Sequence, residues 1–221
     1  MFLQFMALVL AGTPGLDPRS DFFITEPKPL VASPAFFSEA EGAALSYSYV
    51  EVGFTTYNVE DFSNDNVDTY YGRVSFGLLK FLYVFGWYDN SSTNFNNTDT
   101  NQVTLGAGAH FDPSPKISLY GQLGYIFNSV SSDNASVEGD ESGYRVDGGV
   151  RWMALPWTGG GLELNGAVGY IDLKNQLASS DHPMVYDVGA RVHFLGHLSV
   201  GATYEKIDVD DKFLGDVRFS F

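Results

Sequence analysis

The chain has 221 residues, with 27 acidic side chains against 12 basic ones, a formal charge of −15 and no cysteine. That length suits one domain, the missing cysteine excludes disulfides and thiolate metal sites, and so few Lys and Arg argue against nucleic-acid binding. No apolar run reaches the roughly 18 residues of a membrane-spanning helix, whereas 13 Tyr, 18 Phe and 24 Gly at a mean hydropathy of −0.06 suit many strands joined by polar turns.

The chain opens with an apolar run, Phe2 to Ala11, broken only by Gln4. Its length fits the h-region of a signal peptide, so 1–12 is expected to be an export segment, although no Lys or Arg flanks Met1. Residues 13–43 carry five of the nine prolines (Pro14, Pro18, Pro27, Pro29 and Pro34) and are expected to form a flexible periplasmic extension.

From residue 44 to 221 the pattern changes to period 2. Ten strands are expected, near 45–57, 68–78, 81–89, 101–111, 116–128, 143–154, 161–173, 184–195, 197–208 and 213–221. Each is close to the ~9–11 residues of a tilted membrane strand, and eight strands remain possible if one hairpin projects beyond the membrane. In the eighth, Met184, Tyr186, Val188, Ala190, Val192 and Phe194 oppose Asp187, Gly189, Arg191 and His193. The first changes parity near Tyr49–Val50, which suggests a bulge. The third is apolar on both faces; if Tyr88 points outward, Tyr83, Phe85 and Trp87 point inward near Tyr120.

Short turns near Leu79–Lys80, Asp112–Lys116, Leu155–Gly160 and Gly196 alternate with polar loops at 58–67, 90–100, 129–142, 174–183 and 209–212. This is the connection pattern of an outer-membrane barrel. A repeat, Leu119-Tyr-Gly-Gln-Leu-Gly-Tyr-Ile126 against Leu164-Asn-Gly-Ala-Val-Gly-Tyr-Ile171, suits an up-and-down antiparallel barrel.

Three features turn this barrel inside out. On the apolar face, Tyr70, Tyr125, Tyr144, Tyr170, Tyr186 and Tyr204 sit beside the loops, and Phe76, Phe111, Trp152, Phe194, Phe219 and Phe221 beside the short turns. Two aromatic girdles are expected, ~20 Å apart at ~3.4 Å per residue and ~40° tilt, near the ~25 Å of the apolar band. Arg73, Arg145, Arg151, Arg191 and Arg218 all fall on the polar face, where Glu51, Asp147, Glu163, Asp187, Glu205 and Asp216 can pair with them. An Arg facing lipid at mid-bilayer would cost ~2–4 kcal/mol, so these charges are expected to line an enclosed lumen. Inward glycines at 77, 106, 108, 124, 149, 169, 189 and 201 are expected to leave space there. A last strand ending at Phe221 suits a barrel without a spare edge.

The ending Gly215-Asp-Val-Arg-Phe-Ser-Phe221 resembles the C-terminal signature of bacterial outer-membrane barrels. Leu45-Ser-Tyr-Ser-Tyr-Val-Glu-Val-Gly-Phe54 and Gly143-Tyr-Arg-Val-Asp-Gly-Gly-Val-Arg151 resemble small porin-like barrels akin to OmpA and OmpX. The resemblance covers about 44–221. It implies an integral protein of the cell outer membrane, with lipid and lipopolysaccharide around it and the barrel-assembly machinery as a partner through Phe221. It implies no shared enzymatic activity, so no catalytic residue, cofactor or metal is expected.

Two other readings compete with a structural or narrow-pored barrel. Glu60, Asp61, Asp65, Asp99, Asp133, Glu138, Asp140, Glu141, Asp181, Asp208, Asp210 and Asp211 make the loops acidic. Acidic loops suit a surface binding or adhesion protein, or divalent cations bridging to lipopolysaccharide phosphates. The pair Asp181-His182 is all that supports a rim-located hydrolase.

Overall fold

The computed structural model describes residues 45–58, 66–93, 98–132, 139–174, 183–207 and 210–221. The expected export segment and extension, as well as His182 and the acids at 60, 61, 65, 133, 138, 181 and 208, lie outside these residues. The described part is a closed antiparallel barrel of ten strands, settling the count at ten. They are β1 (Tyr49–Asn58), β2 (Asn66–Leu79), β3 (Leu82–Thr93), β4 (Thr98–Ser114), β5 (Ile117–Ser131), β6 (Gly139–Trp157), β7 (Gly160–Lys174), β8 (Met184–Phe194), β9 (Leu198–Ile207) and β10 (Asp210–Ser220). Each pairs with its sequence neighbours, and β1 closes on β10 from Tyr49↔Ser220 to Thr56↔Phe213. Closure leaves no unpaired edge, which a bilayer demands because it offers no water to exposed N–H and C=O groups.

Several strands run past their expected ends on the loop side. Residues 90–93, 98–100, 129–131 and 139–142, read from sequence as loop, belong to β3, β4, β5 and β6. The connection read as 209–212 shrinks to the two residues between Ile207 and Asp210. These stretches are polar on both faces, as in Asn90-Ser-Ser, so they carry no period-2 signal although the backbone ladder continues. At the other end the turns are Lys80–Phe81, Pro115–Lys116, Thr158–Gly159 and Leu195–His197. Gly159 (φ 79°) and Gly196 (φ 74°) supply left-handed positions that tight turns require.

The bulge expected near Tyr49–Val50 is absent: β1 pairs with both neighbours without a register shift. Its parity changes in sequence because Tyr47 and Tyr49 are aromatic yet sit on the inward line with Glu51, Gly53 and Thr55. The register shifts instead fall between Gly77 and Leu79, Phe111 and Ser114, and Met153 and Leu155. All three lie beside short turns, at the rim where barrels commonly place bulges.

Apart from the exposed Gly77, the inward glycines do not leave open lumen. Gly106 faces Phe85, Gly108 faces Tyr83 and Gly149 faces Tyr120, each pair directly opposite on adjacent strands. A Cβ on Gly106 would come within 2.5 Å of the Phe85 ring, and one on Gly149 within 2.7 Å of the Tyr120 ring. Gly169 and Gly201 likewise make room for the Asp147 and Asp216 carboxylates. The glycines are seats for neighbouring side chains, which lie across them into the lumen. Gly149→Ala is therefore expected to cost about 1–3 kcal/mol through overpacking. Gly148→Ala, one residue away on the outer face with no atom nearer than 3.8 Å, should cost far less. Urea unfolding midpoints in vesicles, followed by gel mobility, compare the two.

Candidate functional site: the barrel lumen

The outer surface is apolar around the barrel. Val52, Phe54, Val74, Leu105, Leu123, Val146, Val168, Val188, Val192, Val200 and Val217 are exposed along it. Soluble monomers rarely expose contiguous apolar patches beyond a few hundred Å². Above this band Tyr70, Tyr125, Tyr144 and Tyr186 are exposed, with Tyr170 and Tyr204 partly covered. Below it Phe111, Trp152, Phe219 and Phe221 are exposed, and Phe76 and Phe194 partly covered. Tyr88 points outward as well, and hence Tyr83, Phe85 and Trp87 point inward. Neighbouring rings touch along each belt: Tyr144 and Tyr170 have centroids 6.4 Å apart, and Phe76 and Phe221 5.7 Å apart.

Inside, all five arginines and their acidic partners gather in three groups. Nearest the short turns, Arg151 forks onto Glu163, with Nε donating to Oε1 at 2.7 Å and Nη2 to Oε2 at 3.0 Å. His193 Nε2 lies 2.7 Å from the same Oε2. In the middle Glu51, only 1% exposed, takes Arg218 (Nη2–Oε2 2.6 Å), Arg191 (2.9 Å) and, more distantly, Arg73 (3.7 Å). Arg191 also pairs with Asp216. Toward the loops Arg145 donates to Asp147 at 2.7 Å and lies 3.5 Å from Asp187 and 3.8 Å from Glu205. Lys212, absent from the sequence-based set, reaches Glu205 at 3.8 Å. The fork geometry of guanidinium suits such multiple pairing, and each desolvated charge has an opposite one at hand.

The opposite wall is aromatic. Tyr47 stacks on His110 (centroids 4.1 Å) and Tyr83 (4.7 Å), and Phe85 packs on Trp87 at 4.8 Å. Tyr47 OH and Ser118 Oγ share a hydrogen bond at 2.8 Å. Tyr83 OH donates to Gln122, whose amide donates to Asp147, joining this wall to the charges. Arginines lie over the rings: Arg73 and Arg145 each 5.1 Å from Trp87, Arg151 5.0 Å from Tyr47, and Arg218 4.0 Å from Tyr49. Such cation–π contacts hold the guanidinium planes as well as their charges. Between the walls remains a cavity of about 110 Å³, enough for a few waters bonded to the polar lining.

Sequence reasoning missed two parts of this interior. Tyr47 and His110 form a stack at the short-turn mouth that becomes visible only once β1 is known to point Tyr47 inward. On the loop side, Ile126, Ile171 and Val185 form an apolar cluster, with Leu173 and Ile207 against it. The repeat contained the signal: its Gly-Tyr-Ile ends place Tyr125 and Tyr170 outward and Ile126 and Ile171 inward. Among the described residues no group of three or more His, Asp or Glu is placed to hold a metal.

No family model matches the chain, and no curated protein matches it. Among solved structures it is similar to an outer membrane channel from Pseudomonas putida F1, at 10% identity and TM-score 0.45, covering 84% of this chain and 100% of that one. It is also similar to the β domain of the Bordetella autotransporter BrkA, at 11% identity and TM-score 0.46, covering 78% and 98%. A third is the KdgM porin in complex with disordered oligogalacturonate, at 8% identity and TM-score 0.43, covering 78% and 99%. In this chain a closed antiparallel barrel has an apolar, aromatic-belted outside and a charged inside, the arrangement of an outer-membrane β-barrel.

Proposed function

We propose that the chain is an integral outer-membrane barrel whose lumen is closed by its own side chains, rather than an open porin. The observation that carries this is the occupancy of the interior: paired arginines and an aromatic wall fill its middle around a cavity of about 110 Å³, and the Ile126, Ile171 and Val185 cluster fills its loop side. Ten strands enclose little more than a side-chain core, and here that core is filled. The resemblance of residues 45–54 and 143–151 to OmpA- and OmpX-type barrels supports this reading. No enzymatic role is proposed. Lipid and lipopolysaccharide would meet the outer belts. Assembly partners would meet the β1–β10 seam, where the Phe221 N–H donates to the Ser48 carbonyl at 3.0 Å.

Single-channel recording in planar bilayers tests the reading. The folded protein in 1 M KCl is expected to stay silent at ±100 mV. Discrete, reproducible conductance steps would establish an open pore and overturn the closed lumen.

A further inference from the structure

The interior is not uniformly polar. A chamber lined by paired charges and tyrosine hydroxyls is a place for water. The charge network therefore fills the barrel without drying it. On its loop side the lumen changes character. Ile126 and Val185 are 1% and 0% exposed although both point inward. They pack with Ile171, and Leu173 and Ile207 close around them. The register explains how residues from four strands meet. Ile126 lies opposite Gly143 on β6, and Gly143 opposite Leu173 on β7. With no side chain on Gly143, the apolar groups of β5 and β7 pack across β6. A Cβ there would run into the Asp172 carbonyl. Val185 lies opposite Ile207, one inward step above the facing acids Asp187 and Glu205. This apolar cluster, drawn from β5, β7, β8 and β9, thus stands directly beyond the loop-side end of the charge network.

We propose that this septum of Ile126, Ile171, Val185, Leu173 and Ile207 is the permeability barrier of the barrel, and that the charge network beneath it is not. An apolar constriction sheds water, and an ion entering it loses hydration without gaining a partner. The inference rests on the closed-lumen reading and says which layer closes it.

The double variant Ile126→Asn/Val185→Asn is expected to conduct K⁺ in planar bilayers at least tenfold above the wild-type background. Glu205→Gln, which changes the charge layer just below, should stay at background. A folded double variant that remains silent, or a Glu205→Gln variant that conducts while the double variant does not, overturns the septum. A conducting wild type overturns the closed lumen itself, so the two failures are distinguishable. Should the double variant not fold, the natural absence of cysteine allows a milder measurement. A cationic methanethiosulfonate added to intact vesicles should modify an Ile126→Cys thiol at least tenfold more slowly than a Thr100→Cys thiol, on the inward line of β4 nearer the loops. Equal rates would show a wet layer and overturn the proposal.

Discussion

Glu51→Gln is expected to destabilise the barrel by about 3–5 kcal/mol, the cost of removing one partner from a buried ionic cluster. A typical domain has only ~5–15 kcal/mol in total. The substitution keeps the side-chain volume, so packing changes little. It leaves Arg218, Arg191 and Arg73 facing a neutral amide at the centre of the lumen, where Glu51 is their shared acceptor. Arg191 keeps Asp216, whereas Arg218 loses both of its bonds to the Glu51 carboxylate. The cost therefore comes from uncompensated positive charge and not from a cavity. That cause makes a further prediction. Glu51→Gln/Arg218→Gln removes a charge from each side and should recover 1 kcal/mol or more relative to the sum of the single variants, within the usual range for coupled neighbours. Urea unfolding from lipid vesicles measures all three. Strictly additive effects would mean that the central cluster is not held by its pairing.

Much of this interior was legible from alternation alone. Along β6 and β8 each Arg is flanked by apolar residues one position either side, so a single parity decision sends the whole row to lipid or to lumen. What alternation could not reveal depended on register. Gly106 and Phe85 are 21 positions apart in sequence, and nothing local says that one is the seat of the other. The parity rule itself also failed where the lumen is apolar. It assumes a greasy outside and a wet inside, and two inward regions break it. Tyr47 and Tyr49 mimic an outward face, which is why a bulge is expected there, and Ile126, Ile171 and Val185 are inward yet apolar, so alternation does not mark them. On the loop side the rule went quiet because both faces of β3 and β4 are polar there, while the hydrogen-bonded ladder runs on.

Ala190→Arg should separate a lipid-facing surface from a water-facing one. Ala190 is exposed on the outer face of β8, four residues from Tyr186 toward the loops and four from Phe194 toward the turns. Between the two belts it stands near the bilayer midplane, where an outward Arg costs ~2–4 kcal/mol. Leu195→Arg, at an exposed turn just beyond the lower belt, should cost no more than ~0–1 kcal/mol, the interfacial value. On a protein surrounded by water, an exposed Ala→Arg change usually stays within about ±0.5 kcal/mol. The contrast between the two positions thus reports the medium outside β8 independently of what fills the lumen. Unfolding midpoints in vesicles should show the ranking, with Ala190→Arg the less stable variant by at least ~1 kcal/mol. Equal midpoints would mean that the apolar face of β8 does not meet lipid. The five inward arginines would then need another explanation, because their placement inside is forced only by the cost of placing them in hydrocarbon outside.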